Sequence, residues 1–132
     1  MSPPRISMRS DLARVRGLGP AHDGVAHWWA QRLTALALIP LTLWFVTAIV
    51  GLVGADHATV AEWIAQPLPA MLLVLLIVAT FHHAQLGLQV VIEDYVHAEG
   101  LKIGLILAVK GLAVLLSVAS LFAVLRIFSW AS

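Results

Sequence analysis

Three long apolar segments constrain the fold of this chain more than any other feature of its sequence. They cover residues 33–53, 70–92 and 103–125, and Lys110 in the third segment is the one charged residue among them. About 20 residues of helix, each advancing about 1.5 Å, cross roughly 30 Å of hydrocarbon. Each segment reaches that length, so the sequence predicts an all-α membrane protein whose three transmembrane helices lie in a lipid bilayer.

The composition supports one membrane domain over residues 1–132. The chain is 61% hydrophobic and 11% charged, which is too apolar and too poorly charged for a soluble domain. Tryptophan residues flank the apolar segments, as is typical of the headgroup region. We expect a cytoplasmic arm over residues 1–26, followed by helices over residues 28–54, 68–97 and 101–128.

The distribution of basic residues predicts the orientation in the membrane. Residues 55–66, between the first two apolar segments, contain no Lys or Arg, whereas four arginines lie in the N-terminal arm: Arg5, Arg9, Arg14 and Arg16. Lys and Arg are enriched in cytoplasmic loops. The N-terminus is therefore predicted inside and, after three crossings, the C-terminus outside.

Two global properties exclude classes of function. The formal net charge of +1 provides no general attraction to a polyanion, so we expect no nucleic-acid partner. The chain has no cysteine, which excludes a disulfide and a cysteine-ligated iron–sulfur cluster within it. A redox centre held by this chain would need other ligands.

His83 lies 13 residues from both Ala70 and Val96, and thus close to the middle of the second helix. Ionisable groups at that depth usually face protein or a cofactor. His83 is either an interhelical hydrogen-bonding residue or an axial haem ligand, and Gly87 on the same helical face would leave room for a flat macrocycle. His82 points about 100° away, as expected of a packing or hydrogen-bonding residue. The other histidines fall at or beyond helix ends, so a second haem ligand would come from another chain.

Three polar residues near the predicted cytoplasmic interface also allow two interpretations each. Asp94 and Tyr95 close the second helix, where they form either an ordinary interfacial belt or a quinone pocket with a phenol donor and a nearby carboxylate. Arg32, at the start of the first helix, either extends its side chain to the headgroups or neutralises a haem propionate.

The second helix carries a family motif. His83–Val96, H-A-Q-L-G-L-Q-V-V-I-E-D-Y-V, resembles the motif H-A-x-x-G-x-x-x-V-x-x-D-Y-V of the hydrophobic membrane anchor subunit of bacterial and mitochondrial succinate dehydrogenase, the D-type anchor of respiratory complex II. Gln31-Arg32-Leu33-Thr34-Ala35 is similar to that family's arginine followed by x-Thr-Ala. With three spans in the same order, the resemblance covers nearly the whole chain.

The resemblance implies roles, cofactors and partners. By analogy His83 is the axial ligand of haem b, Asp94 and Tyr95 belong to the quinone site, and Arg32 lies near the haem propionates. The haem would be shared with a second membrane anchor subunit of the cytochrome b556 type, and ubiquinone would be the substrate. An iron–sulfur subunit and a flavoprotein subunit that oxidises succinate complete the implied complex.

The resemblance also sets the expected activity and location. The chain would be a non-flavin subunit of succinate dehydrogenase (quinone), with no catalysis of its own, in the bacterial inner membrane rather than the mitochondrial inner membrane. Two alternatives stay open. One is a fumarate reductase anchor, and the other is a purely structural membrane subunit without a cofactor.

Overall fold

The computed structural model describes the backbone of residues 21–131 and the side chains of residues 24–130. This part of the chain contains no strand, and its four helices in order are α1 (Ala21–Gly51), α2 (His57–Ala65), α3 (Pro67–Tyr95) and α4 (Glu99–Ala131). Three of them, α1, α3 and α4, are long and apolar enough to cross a membrane. The predicted all-α fold with three long spans is confirmed.

The first helix begins earlier than predicted. Residues 21–26, which the sequence assigned to the cytoplasmic arm, are already helical, while residues 1–20 of that arm lie outside the described residues. The thickness of the hydrocarbon sets the minimum length of an apolar segment. It does not set the full length of a helix, because a helix also makes its own backbone hydrogen bonds where it continues into the headgroup region. Pro40 lies inside α1 without ending it.

The short helix α2 stands where the sequence suggested only a connection. After α1, the chain turns at Gly54, whose φ of 85° lies in the left-handed region that glycine adopts without strain. The carboxylate of Asp56 then accepts a hydrogen bond of 2.9 Å from the backbone N–H of Thr59 and caps the first turn. Hydrogen bonds from Thr59 hold the pKa of Asp56 below its ordinary value. Because the pKa of Asp56 is lowered in the folded chain, the cap stabilises α2 fully at pH values above the ordinary pKa of an aspartate. This stabilisation is lost as the pH falls through the lowered pKa.

Proline separates α2 from α3. Gln66 is extended, with ψ of 139°, as the ring of a following proline requires of the preceding residue. Pro67 occupies the first turn of α3, where a missing N–H leaves no helical hydrogen bond unmade. The two helices are therefore separated by a single non-helical residue, Gln66.

Helix α3 is the centre of the arrangement. It packs against α1 on one side and α4 on the other, and α2 packs against α3 and α4. Within the described residues, the backbones of α1 and α4 do not approach each other. A residue on α3 can thus face α1, α4 or the surfaces between them.

A cluster of buried apolar residues lies at the end of the bundle that carries α2. Ala70, Leu73 and Val124 are buried there. The rings of Trp44 on α1 and Trp63 on α2 stack with their centroids 5.9 Å apart and their planes at 22°. The small apolar core thus joins all four helices at this end.

Away from this core, most large apolar side chains are exposed, on α1, α3 and α4 alike. Lipid tails are as apolar as these side chains, so the hydrophobic effect does not drive them together in a bilayer. The exposed surface suits lipid and other membrane helices. Specific contacts between helices must come from close packing and from polar groups.

Candidate functional site

One face of α1 is turned toward α3. Partly buried residues recur along it every three or four positions, as the helical period requires. This inward face consists of His27, Ala30, Gln31, Thr34, Ala35, Leu38, Leu41, Trp44, Phe45 and Ala48. Its second half is bulky and apolar. Its first half carries three polar side chains, so the polar part of the α1–α3 interface lies at the end away from α2.

His83 projects from the middle of α3 into this polar part. Its Nδ1 lies 3.0 Å from Oγ1 of Thr34 on α1, in a partly buried contact between residues 49 positions apart. This is the interhelical hydrogen bond that the sequence allowed for His83. It engages only one ring nitrogen, and the described residues offer Nε2 no hydrogen-bond partner. The bond is therefore compatible with ligation of a metal through Nε2.

Gly87, one turn further along α3, also faces α1. A Cβ atom at Gly87 would lie 3.5 Å from Nε2 of Gln31, which is an ordinary contact distance. The space beside this glycine is therefore bordered by the Gln31 amide, and a side chain longer than that of alanine would displace it. His83 and Gly87 do share a face, as the helical period predicted, and that face meets Gln31 and Thr34.

Two polar atoms on the inward face of α1 have no partner. Nε2 of His27 and Oε1 of Gln31 are shielded from solvent and form no hydrogen bond within the described part of the chain. An unsatisfied buried polar group costs about 1–3 kcal/mol. The sequence interpretation missed both residues, although their spacing from Thr34, seven and three positions, places all three on one helical face. Both atoms need a partner from beyond the described residues.

Arg32 lies on another face of α1. Its guanidinium is 4.9 Å from the centroid of the Trp28 ring, one turn earlier, which is a cation–π distance. Both residues are exposed, so the pair lies on the outer surface of the chain. Arg32 is two residues from Thr34, or about 3 Å along the helix axis. It therefore lies close to the level of His83 in the membrane while facing a different direction.

Asp94 and Tyr95 are the last two residues of α3, which was predicted to extend to residue 97. Both are exposed, and Tyr95 retains 78% of its accessible surface. They lie eleven and twelve residues beyond His83, or about 16–18 Å along the axis. The neighbouring Glu93 accepts a 2.7 Å hydrogen bond from the Gln89 amide. The structure thus keeps these two residues apart from His83 and places them on an open surface.

His82 faces away from the α1–α3 interface, as its helical position predicted. It is exposed, and it lines a cavity of about 220 Å³ between α3 and α4 together with Gln85 and Ser117. The two adjacent histidines therefore lie on different faces of α3. His83 alone contacts α1.

Residues 24–130 contain no group of three or more His, Cys, Asp or Glu side chains placed to hold a metal ion. A metal held through His83 would therefore need its other ligands from outside these residues. Single-imidazole ligation suits haem iron, whose remaining equatorial ligands come from the porphyrin itself.

Comparison with known proteins gives one family match and relatives that carry the same description. Residues 6–125 match the family described as the succinate dehydrogenase/fumarate reductase transmembrane subunit. The hydrophobic membrane anchor subunit of succinate dehydrogenase from Rickettsia bellii is 33% identical over 116 residues, which cover 88% of this chain and 93% of that protein.

Two other organisms supply further relatives. The corresponding anchor subunit from Paracoccus denitrificans is 30% identical over 95 residues, covering 72% of this chain and 74% of its own length. The succinate dehydrogenase membrane anchor subunit of Reclinomonas americana is 29% identical over 95 residues, covering 70% and 79%. No solved structure shows a significant match to the chain.

Proposed function

Because the chain belongs to the family of succinate dehydrogenase hydrophobic membrane anchor subunits, we propose that it docks the flavoprotein and iron–sulfur subunits, shares a haem b and completes a ubiquinone reduction site. As a multi-pass membrane subunit of an enzyme complex, it associates with the other subunits and the bilayer. The proposal assigns it to the bacterial inner membrane. The observation that carries the cofactor part is the single hydrogen bond that joins His83 to Thr34 through Nδ1.

In this proposal His83 would hold the haem through its iron. When bound, the haem provides a one-electron relay whose potential depends on its axial ligands and their hydrogen bonds. Nε2 of His83 has no partner among the described residues, and Nδ1 is anchored to the neighbouring helix. A second membrane anchor of the cytochrome b556 type would provide the other ligand. The residues present therefore fit a haem shared between two chains.

Arg32 would serve the propionates of that haem. Its guanidinium is always charged and binds carboxylates in a bidentate manner. It lies close to the level of His83 and on the exposed surface of α1, where an approaching partner chain can enclose it. Trp28 holds the guanidinium at 4.9 Å without using its N–H donors, so these donors stay available to a carboxylate.

Asp94 and Tyr95 would form this chain's part of the quinone site. The Tyr95 hydroxyl can donate a hydrogen bond to a quinone carbonyl, and the Asp94 carboxylate can tune or relay a proton. Their exposure in the isolated chain means that the partner subunits supply the remaining walls. The site would lie at the cytoplasmic end of α3, beside the subunits that deliver electrons.

A fumarate reductase anchor is the alternative within the same chemistry, since the matching family covers both enzymes. It would use the same residues with the opposite net direction of electron flow. A purely structural anchor is the alternative from another class. An absorption spectrum of the purified complex separates the structural anchor from both redox anchors, because a b-type signal contradicts a cofactor-free anchor.

Purification of the intact complex tests the proposal as a whole. A tag on this chain should recover a flavoprotein, an iron–sulfur protein and a second anchor in equal amounts, together with a b-type absorption spectrum. The partner chains are expected because His83 is only partly buried, and Asp94 and Tyr95 are exposed, in the chain by itself. Recovery of the four subunits without haem would leave the docking role intact and refute the shared haem.

The proposed orientation makes a separate prediction. Reporter fusions should place residue 20 in the cytoplasm and residues 60 and 132 on the opposite side, because four arginines precede α1 and the segment around α2 has no Lys or Arg. Alkaline phosphatase and green fluorescent protein fusions at these three positions report the two sides. A reporter result with residues 20 and 60 on one side would contradict the three-span arrangement.

A further inference from the structure

Thr34 is placed to act on the proposed haem ligand from the neighbouring helix. Its hydroxyl is 3.0 Å from Nδ1 of His83 and, in the same geometry, 2.8 Å from the backbone carbonyl oxygen of Ala30 and 3.1 Å from that of Gln31. Three polar atoms therefore surround one hydroxyl group. A hydroxyl carries one hydrogen and two acceptor lone pairs, so these contacts constrain which atom donates.

The backbone takes the hydroxyl hydrogen. A carbonyl oxygen can only accept, and the Ala30 oxygen is the nearest of the three neighbours of Oγ1. With its hydrogen directed at this carbonyl, Oγ1 presents a lone pair to His83. The imidazole must then donate, which places the ring hydrogen on Nδ1 and leaves the lone pair on Nε2.

We propose that Thr34 is a positioning residue that holds His83 in the Nδ1–H tautomer, with the Nε2 lone pair available to the haem iron. The inference rests on the haem ligation proposed above. A ligating histidine needs its free lone pair on the metal side and a hydrogen-bond acceptor on the other. Thr34 supplies that acceptor from α1 without a charge at membrane depth, where a carboxylate acceptor would be costly.

The hydrogen bond also has an electronic consequence. Donation from Nδ1–H to an acceptor increases the basicity of Nε2. A more basic axial ligand stabilises the higher charge of ferric iron and so lowers the haem potential. Loss of the Thr34 acceptor should therefore raise the haem midpoint potential and weaken haem retention.

Thr47 on the same helix provides a matched control. Its hydroxyl is 3.1 Å from the carbonyl oxygen of Leu43 and 2.8 Å from that of Trp44, which repeats the backbone contacts of Thr34. Thr47 is exposed, and its hydroxyl forms no hydrogen bond to a side chain in the described part of the protein. Thr47→Val removes a helix-bound hydroxyl without touching His83.

The test uses the intact complex carrying Thr34→Val, Thr34→Ser or Thr47→Val. The haem midpoint potential is measured by redox titration of the b-type absorption, and haem content is measured per flavin. Thr34→Val should raise the potential and weaken haem retention about tenfold, the lower end of the usual loss for such a partner. A tenfold greater loss for ferric than for ferrous haem corresponds to a shift of about 59 mV. Thr34→Ser and Thr47→Val should match the wild type.

The outcomes separate failure of the inference from failure of the haem proposal. A wild-type complex without a b-type spectrum refutes haem ligation, and the role of Thr34 with it. If the wild-type complex contains haem and Thr34→Val leaves the haem potential unchanged, only the role of Thr34 is refuted and the haem proposal stands. Thr34→Ala adds no bulk and should show the same shift if the valine variant does not assemble. Assembly of only the serine variant would assign the hydroxyl to packing and overturn the inference.

Discussion

The complex carrying His83→Leu is expected to lose its b-type absorption, with haem content reduced roughly tenfold or more. Leucine has a similar volume but no lone pair, so the iron loses one axial ligand and the haem loses its attachment to α3. The measurement is the reduced-minus-oxidised spectrum of the purified complex, normalised to flavin. Haem retained with an altered spin state would still identify His83 as a ligand, because the spectrum follows axial ligation.

His82→Leu is the matched control for that experiment. The two residues are adjacent and chemically identical, but His82 lines the groove between α3 and α4 and His83 contacts α1. His82→Leu should leave the spectrum close to that of the wild type. Loss of haem in His82→Leu with retention in His83→Leu would reverse the ligand assignment.

Tyr95→Phe should lower ubiquinone reduction by roughly ten- to a hundredfold. The change keeps the ring and its interfacial anchoring and deletes one hydroxyl. If that hydroxyl donates to the quinone carbonyl inside the assembled pocket, an unsatisfied acceptor costs about 1–3 kcal/mol. About 1.4 kcal/mol corresponds to a factor of ten in rate when the bond is made in the transition state.

The decisive quantity is the ratio of succinate-to-ubiquinone activity to succinate oxidation with an artificial acceptor, at equal subunit content. The soluble subunits do not need the Tyr95 hydroxyl, so the artificial-acceptor activity should survive. Trp130→Phe is the control for an aromatic belt residue, since Trp130 lies near the far end of α4 and is 93% exposed. It should leave the ratio unchanged. An unchanged ratio in Tyr95→Phe would remove this residue from the quinone site and leave Asp94 as this chain's candidate.

The number of the spans and their minimum length follow from the sequence alone. Local composition decides them, because any segment of about 20 apolar residues must satisfy its backbone internally to stay in hydrocarbon. A helix end close to Tyr95 was predictable for a related reason, although the predicted end was residue 97. Glu93, Asp94 and Tyr95 are the first cluster of polar groups after the apolar segment, and such groups seek the interface. The depth of His83 likewise follows from counting along a helix with a constant rise.

Sequence patterns did not reveal α2, although its signals are present. Asp56 followed by Thr59 provides an N-cap, and Gln66 before Pro67 provides a stop. Nine residues of helix are marginal without tertiary contacts. Packing of Trp63 against Trp44 supplies such a contact, and it joins residues that the sequence places 19 positions apart.

The direction in which each membrane helix faces was decided by the tertiary structure. A helix that is apolar on every side has no amphipathic stripe to indicate its inward face, and lipid accepts either face equally well. Periodicity placed His83 and Gly87 on one face and His82 on another, but it could not say which helix each face meets. That depended on how α3 packs between α1 and α4, which brings Thr34 to His83 and Gln31 to Gly87. Close contacts between distant segments carry this information because, in a membrane, packing and polar pairing replace the hydrophobic effect as the source of helix–helix specificity.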